Sequence, residues 1–268
     1  RMIYPVRRLA LVLLLVAFAA PACAQSLPGY KNRMFAYPKT LASEDGGAYR
    51  VLDYNEMRDI NGRDEIPPRK VQSRYVSLGV RRQQADLSVP TSAGNVTHYA
   101  VGRTQGARVI VVYIHGQGGN RGQGVDDYSF GGNFNRAKNL VVKGGGLYLS
   151  PDVSNFRDQG AAEIRGLIEH YAAASPRAPV IIACGSAGGA LCWRMAQDRT
   201  IAPRLGGLML LGSVWSDDFF SSAAFQRRVP VFLAQGSEDP VFSADRMKQF
   251  YNAIRARAPG YPVQMVRF

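Results

Sequence analysis

Residues 180–190 read VIIACGSAGGA, and this stretch decides the fold. Its first four residues are apolar, as in a strand that is buried on both faces of a sheet. The chain then turns through small residues around Ser186 and continues with a helical composition. Small neighbours suit a strained turn, because larger side chains would clash there. Ser186 is therefore either a nucleophile held at a sharp turn or a serine that only caps the next helix.

Apolar runs and amphipathic stretches alternate on both sides of this turn. A strand followed by a helix, repeated along the chain, gives a parallel sheet that is covered on both faces. We therefore predict an α/β fold with a mostly parallel central sheet and helices on both faces. The strands are predicted at residues 96–101, 108–114, 146–149, 180–183, 208–211, 229–234 and from 262, and the helices at 133–142, 161–174, 187–197 and 244–256.

Glycine and acidic residues follow these strands, at the sheet edge where ligands of such folds bind. The loop at residues 115–120 reads HGQGGN, and the loop at residues 235–241 reads QGSEDPV. A dinucleotide fingerprint that began at Gly116 would need a glycine where Arg121 stands. We therefore expect no nucleotide, no other cofactor and no metal.

The segment around Ser186 resembles the nucleophile elbow of the α/β-hydrolase superfamily, G-x-S-x-G, with Cys184 in place of the first glycine. The resemblance covers residues 75–268. Within the superfamily, the sequence is similar to serine esterases and to dienelactone-hydrolase-like enzymes. It implies that Ser186 is the nucleophile of an esterase. It also implies that the backbone N–H groups of Gln117 and Ala187 form the oxyanion hole, and that Asp239 is the acid of the triad.

Two questions about the triad stay open at this stage. Asp217 or Asp218, after the preceding strand, is the alternative to Asp239 as the acid. The family order also needs a histidine after the acid, but the three histidines of the sequence are His98, His115 and His170. His98 is expected to be exposed on a strand, His115 to order its loop, and His170 to lie far from the chemistry.

The absent histidine leads to two interpretations. We expect that the protein continues beyond Phe268 to a catalytic histidine, so that residues 1–268 alone are inactive and the hydrolase domain in them is incomplete. The alternative is a non-catalytic binding protein with this fold.

The connection before residue 229 is short, which predicts a site without a large lid domain. It contains Trp215, Phe219 and Phe220, which either form an apolar lip for the substrate or belong to the core. We expect a small-molecule or polymeric ester as the substrate. The sequence does not identify the natural ester.

The N-terminus has the order of a secretory signal peptide. Two arginines precede the apolar residues 9–20, and PACA at residues 21–24 matches a cleavage site after Ala24. We therefore expect a secreted or periplasmic protein. Residues 1–24 would be the signal peptide, residues 25–74 an extended arm or linker, and residues 75–268 the hydrolase domain.

Charge and cysteines complete the sequence-based expectations. The net charge of +13 favours weak association with anionic surfaces, although scattered basic residues are also typical of a solvated surface. No nucleic-acid motif is present, so nucleic acid is not an expected partner. Cys184 and Cys192 are predicted to be free, buried thiols. Cys192 lies about 9 Å along the helix from the turn, helix and sheet pack about 10 Å apart, and bridged cysteines need Cα atoms within about 7 Å.

Overall fold

The computed structural model describes residues 39–55, 57–61, 64–65 and 69–268. The predicted signal peptide, residues 1–24, lies outside the described residues, so its cleavage and the location of the protein stay predictions. Within the described part, no helix has the length and hydropathy that a membrane span requires.

The fold is built on one sheet of ten strands, in the order β1-β2-β12-β11-β10-β9-β7-β8-β6-β5. The strands from β2 to β8 in this order run parallel, and β1, β6 and β5 are antiparallel to their neighbours. A further pair of two-residue strands, β3 and β4, stands apart from it. The strands are β1 Thr40–Glu44, β2 Tyr49–Leu52, β3 Asp64–Glu65, β4 Lys70–Val71, β5 Gln84–Thr91, β6 Gly94–Gly102, β7 Ile110–Ile114, β8 Leu147–Pro151, β9 Val180–Ser186, β10 Leu205–Ser213, β11 Val231–Gln235 and β12 Val263–Arg267.

Helices cover both faces of the sheet, as predicted. Among the residues that the structure describes, four of the five α-helices lie on one face, and α1 packs on the other through Phe134 and Val141. The central strands are buried on both sides, because their apolar side chains face a helix in either direction. The helices are α1 Asn133–Lys143, α2 Asp158–Ala174, α3 Gly189–Gln197, α4 Ala223–Gln226 and α5 Ala244–Arg257.

The connection between β10 and β11 is short, as predicted for a site without a large lid domain. It holds a 3-10 turn, Asp217–Ser221, and the four-residue helix α4. No large domain is therefore inserted here, and the carboxyl ends of the central strands remain open.

The predicted N-terminal arm contributes to the sheet. β1 and β2 form a hairpin, and β2 pairs in parallel with β12, where Tyr49 lies beside Met265. Tyr49 is buried against Tyr251 of α5. The sheet thus includes residues that precede the predicted domain start at residue 75.

Cys184 and Cys192 form a disulfide, with their Cα atoms 6.3 Å apart, so the prediction of two free thiols was wrong. That prediction assumed the usual helix-to-sheet distance of about 10 Å, whereas α3 brings Cys192 within disulfide range of Cys184. Glycine at position 189 lets the start of α3 lie against the end of β10, since a Cβ added there would clash with the Ser213 Oγ atom. The disulfide joins the strand before Ser186 to the helix after it.

Removing this disulfide should destabilise the protein. We expect the variant Cys184→Ala/Cys192→Ala to lose roughly 2–3 kcal/mol of unfolding free energy, because the link closes a short loop in the unfolded chain. Urea unfolding of the variant and the wild type measures the difference. Thiol titration of the denatured, unreduced protein provides the check, and two reactive thiols from residues 25–268 would contradict the bond.

Candidate active site

Ser186 is the last residue of β9 and its side chain is exposed at the carboxyl edge of the sheet. Its φ angle of 50° lies in the left-handed region, which is strained for a residue with a side chain. The next turn leaves no space for a Cβ at Gly188, which would lie 2.6 Å from the carbonyl oxygen of His115. The small residues predicted around the serine are therefore required by sterics.

The loop after β7 lies directly against Ser186. A Cβ at Gly116 would come within 2.8 Å of the Ser186 Cβ atom and 3.4 Å of its Oγ atom. Gln117 is exposed next to this contact. Among the turns and loops of the described residues, no hydrogen bond uses the amide of Gln117 or Ala187 as its donor. The assignment of these two N–H groups to an oxyanion hole stays a prediction.

Substituting the glycine at this contact should disturb Ser186, the predicted nucleophile. We expect Gly116→Ala to lower kcat/KM for an ester about 100-fold, because the added methyl group must displace Ser186 or the loop, and a 1 Å misplacement has a cost of that size. Steady-state kinetics with a chromogenic ester measures it.

Gly207→Ala provides the matched control. A Cβ at Gly207 meets only the carbonyl oxygen of Pro230, at an ordinary 3.7 Å, near the other end of the sheet. Equal activities for the two variants would contradict the proposed contact.

Arg121 anchors the loop, a role that no pattern in the sequence indicated. Its guanidinium donates to both carboxylate oxygens of Asp86 at 3.0 Å and to Asp152 at 2.7 Å. Its backbone N–H donates to Asp152, and its carbonyl accepts from Ser150. The hydrogen bond from Arg121 also lowers the pKa of Asp86. These bonds tie the loop to β5 and β8.

Asp239 lies in the loop after β11 and its carboxylate is firmly held. The Oδ1 atom accepts hydrogen bonds from the amides of Val241, at 2.8 Å, and Phe242, at 2.9 Å. The Oδ2 atom would lie 3.6 Å from a Cβ at Gly212, in the neighbouring strand β10. The next residue, Ser213, pairs with Ser186 and donates its hydroxyl to the Ser186 carbonyl at 2.6 Å. The acid and the serine thus lie at the same edge, linked through the end of β10.

Gln235 supports the acid and was also missed. Its side chain is completely buried, and its Nε2 atom donates to Asp239 Oδ2 at 2.7 Å and to the carbonyl of Phe242 at 2.8 Å. The sequence does show that Gln235 is a polar residue at the end of the apolar strand β11, and this pattern could have indicated its role.

Asp217 and Asp218, the alternative acids, lie in the exposed 3-10 turn after β10. In the part of the chain that the structure describes, neither carboxylate accepts a hydrogen bond or forms an ion pair, whereas Asp239 accepts three hydrogen bonds. The geometry therefore favours Asp239.

The three histidines all lie in the described part, and no hydrogen bond joins any of them to Ser186 or Asp239. His115 is buried, with Nδ1 2.7 Å from the carbonyl of Gly116 and its ring against Phe156. His170 is exposed on α2. The expectation of a histidine beyond Phe268 stays a prediction.

His98 is buried, so the expectation that it is exposed was wrong. Its strand, β6, lies under α2, and its Nε2 atom is 2.6 Å from the hydroxyl of Tyr171 on that helix. Its Nδ1 atom donates to the carbonyl of Val96 at 3.0 Å in the tautomer that suits both contacts. Burial lowers the pKa of His98 below its ordinary value of 6.5.

Acid should therefore destabilise the fold through His98. The unfolded chain takes up a proton as pH drops below about 6.5, whereas the folded protein resists protonation, so the unfolding free energy falls with pH in that range. Urea unfolding at pH 7.5 and at pH 5 measures this change. Between the two pH values, the unfolding free energy should decrease less for His98→Gln than for the wild type. His170, which is exposed on α2, provides the control. The unfolding free energy of His170→Gln should decrease as much as that of the wild type, and a smaller decrease would contradict the prediction.

The aromatic residues after β10 do not form a common lip. Phe219 is completely buried between Trp193 of α3 and Phe250 of α5, so of the two alternatives this residue belongs to the core. Phe220 packs against Phe250 and beneath the guanidinium of Arg257. Trp215, half-buried and closest in sequence to the end of β10, remains the candidate for substrate contact.

Similarity to solved structures supports the fold. A structure of an alpha-beta serine hydrolase homologue from Coxiella burnetii matches with 14% identity and a TM-score of 0.52, over 69% of this chain and 86% of that one. A putative alpha/beta hydrolase of unknown function from Agrobacterium tumefaciens matches with 12% identity and a TM-score of 0.56, over 69% and 84%. No protein-family model matches the sequence, and no curated protein matches it. The chain thus has the α/β-hydrolase fold.

Proposed function

We propose that this protein, which has the α/β-hydrolase fold, is an exported serine hydrolase that cleaves a carboxylic ester or a similar acyl bond. The observation that carries the proposal is the left-handed, exposed Ser186 at the carboxyl end of β9, with the backbone of Gly116 packed against it. A structural serine has no need of this strained position.

The reaction would proceed through an acyl-enzyme. The Ser186 hydroxyl attacks the acyl carbon and gives its proton to a general base, and the carbonyl oxygen becomes an oxyanion. The N–H groups of Gln117 and Ala187 stabilise that charge, together with the N-terminal end of α3. Collapse of the intermediate expels the alcohol, which takes the proton back from the base. Water then hydrolyses the acyl-enzyme in the same way.

Asp239 would orient the base and stabilise its protonated form. The end of β12 lies beside the Asp239 loop, since the Phe268 amide donates to the Gln235 carbonyl at 3.1 Å and the Ser237 amide donates to the Phe268 carbonyl. The backbone of Phe268 is therefore held beside the loop that carries Asp239.

The second candidate is a non-catalytic binding protein. The absence of any hydrogen bond between a described histidine and Ser186 or Asp239 favours it, because an unassisted serine hydroxyl is a poor nucleophile. It would use the same open edge to hold an acyl group without cleaving it.

Fluorophosphonate labelling of the full gene product distinguishes the two candidates. The hydrolase proposal expects covalent labelling of the wild type and none of Ser186→Ala, together with turnover of a p-nitrophenyl ester. Absence of both labelling and turnover in a folded wild type would make the binding protein the better proposal.

A further inference from the structure

Arginines collect at the sheet edge opposite Ser186. The strands β11, β10, β9 and β7 are adjacent and parallel, so the residues before them lie at the same edge. An arginine occurs shortly before each of these strands. We call these four residues the arginine row: Arg108, Arg177, Arg204 and Arg227.

Neighbouring members of the row are close in space. Arg108 and Arg177 line one shallow hollow of about 450 Å³, and Arg177 and Arg204 line the next, of about 510 Å³. The helix α4, which ends directly before Arg227, packs against the 3-10 turn Ala202–Arg204. With about 4.8 Å between strands, four charges fall within roughly 20 Å.

The charges of the row are not neutralised. All four side chains are exposed, and none has an ion pair or a side-chain hydrogen bond with any residue that the structure describes. Arg103 and Arg199, exposed and unpaired in the same sense, flank the row. The nearest acid along the chain, Asp198, is engaged by Arg165 and Thr200.

Acidic residues gather at the other edge. Exposed or half-buried carboxylates lie in the loops and first helical turns that follow the strands, so the molecule has a basic edge and an edge richer in acids that also holds Ser186. These acidic residues are Asp158, Asp217, Asp218, Glu238, Asp239 and Asp245.

We propose that the arginine row binds the surface of an anionic phospholipid bilayer, with the Ser186 edge facing away from the lipid. Guanidinium groups bind phosphate oxygens in pairs of hydrogen bonds, and a row of open hollows fits a flat array of head groups. Single-stranded nucleic acid fits less well. It needs aromatic platforms, and among the described residues no exposed aromatic side chain lies within the row.

Vesicle co-sedimentation tests the proposal with the mature protein. Binding is expected to vesicles that contain 30% phosphatidylglycerol, not to pure phosphatidylcholine, and to disappear in 0.5 M NaCl. The variant Arg177→Gln/Arg204→Gln should lower the partition coefficient about 30-fold, from the usual contribution of each basic residue near such a surface.

Arg157→Gln/Arg246→Gln is the matched control, because it removes the same charge from exposed residues at the Ser186 edge. Its loss should stay below about threefold. An equal loss in both variants would show that net charge alone drives binding. Heparin is added to the vesicle-bound protein as a competitor. If it displaces the protein at a charge concentration below that of the lipid, the arginine row binds a polysaccharide better than a bilayer. Either result overturns the proposal.

The orientation has a separate readout that does not depend on catalysis. The two tryptophans are the buried Trp193 and Trp215 at the Ser186 edge, so brominated lipid should leave the fluorescence of the bound protein unquenched. Strong quenching would place the wrong edge on the bilayer.

Discussion

Ser186→Ala is expected to lower kcat for ester hydrolysis about 10⁶-fold, the loss typical of a removed triad nucleophile. The physical reason is that no other described hydroxyl occupies the strained, exposed position beside Gly116. Alanine is smaller than serine and the side chain is exposed, so unfolding free energy and substrate binding should change little. Initial rates measure the loss of catalysis, and equilibrium binding of a product acid measures whether substrate binding has changed.

Ser221→Ala provides the control for that experiment. Ser221 is exposed in the 3-10 turn after β10, where its hydroxyl donates only to the carbonyl of Asp218. Its activity should equal that of the wild type. A Ser186→Ala variant with near-normal turnover would reject the serine-hydrolase mechanism altogether.

Asp239→Asn should have the second largest effect, a loss of about 10⁴-fold in kcat. The side chain keeps its size, but the negative charge that stabilises a protonated base disappears. An asparagine also offers one acceptor oxygen where the carboxylate offers two to Gln235, Val241 and Phe242.

Asp217→Asn and Asp218→Asn are the comparisons for this prediction. Their carboxylates are exposed and make no hydrogen bond with a described residue, so each variant should lose less than about threefold. Steady-state kinetics on the three variants decides between the candidates. A severe loss in Asp217→Asn, with an active Asp239→Asn, would move the acid to the end of β10.

Local patterns predicted the centre of the fold well. Residues 180–190 indicated a strand, a tight turn and a helix, and these are β9, the turn at Ser186 and α3. The buried runs at β7, β8, β10 and β11 were equally clear, because their side chains are apolar on both faces. The glycines of the two loops were visible in the sequence, although the neighbour that requires Gly116 to be a glycine, Ser186, lies far away along the chain.

Features that depend on distant partners were not readable. The strand β1 is exposed throughout and lacks an apolar pattern, so only its pairing with β2 identifies it. The burial of His98 requires Tyr171, and the role of Arg121 requires Asp86. The disulfide was missed because its geometry depends on how α3 folds back over β9.

The pairing of β2 with β12 has a consequence for the order of folding. Tyr49 and Met265 are neighbours in the sheet although most of the chain lies between them. Closing so long a loop is entropically costly, and contacts of this kind form late. During synthesis the β1–β2 hairpin therefore has no partner in this sheet until β12 has emerged. Until then the N-terminal hairpin and the free edge of β11 both expose unpaired backbone, and a chaperone that shields strand edges would act in this interval.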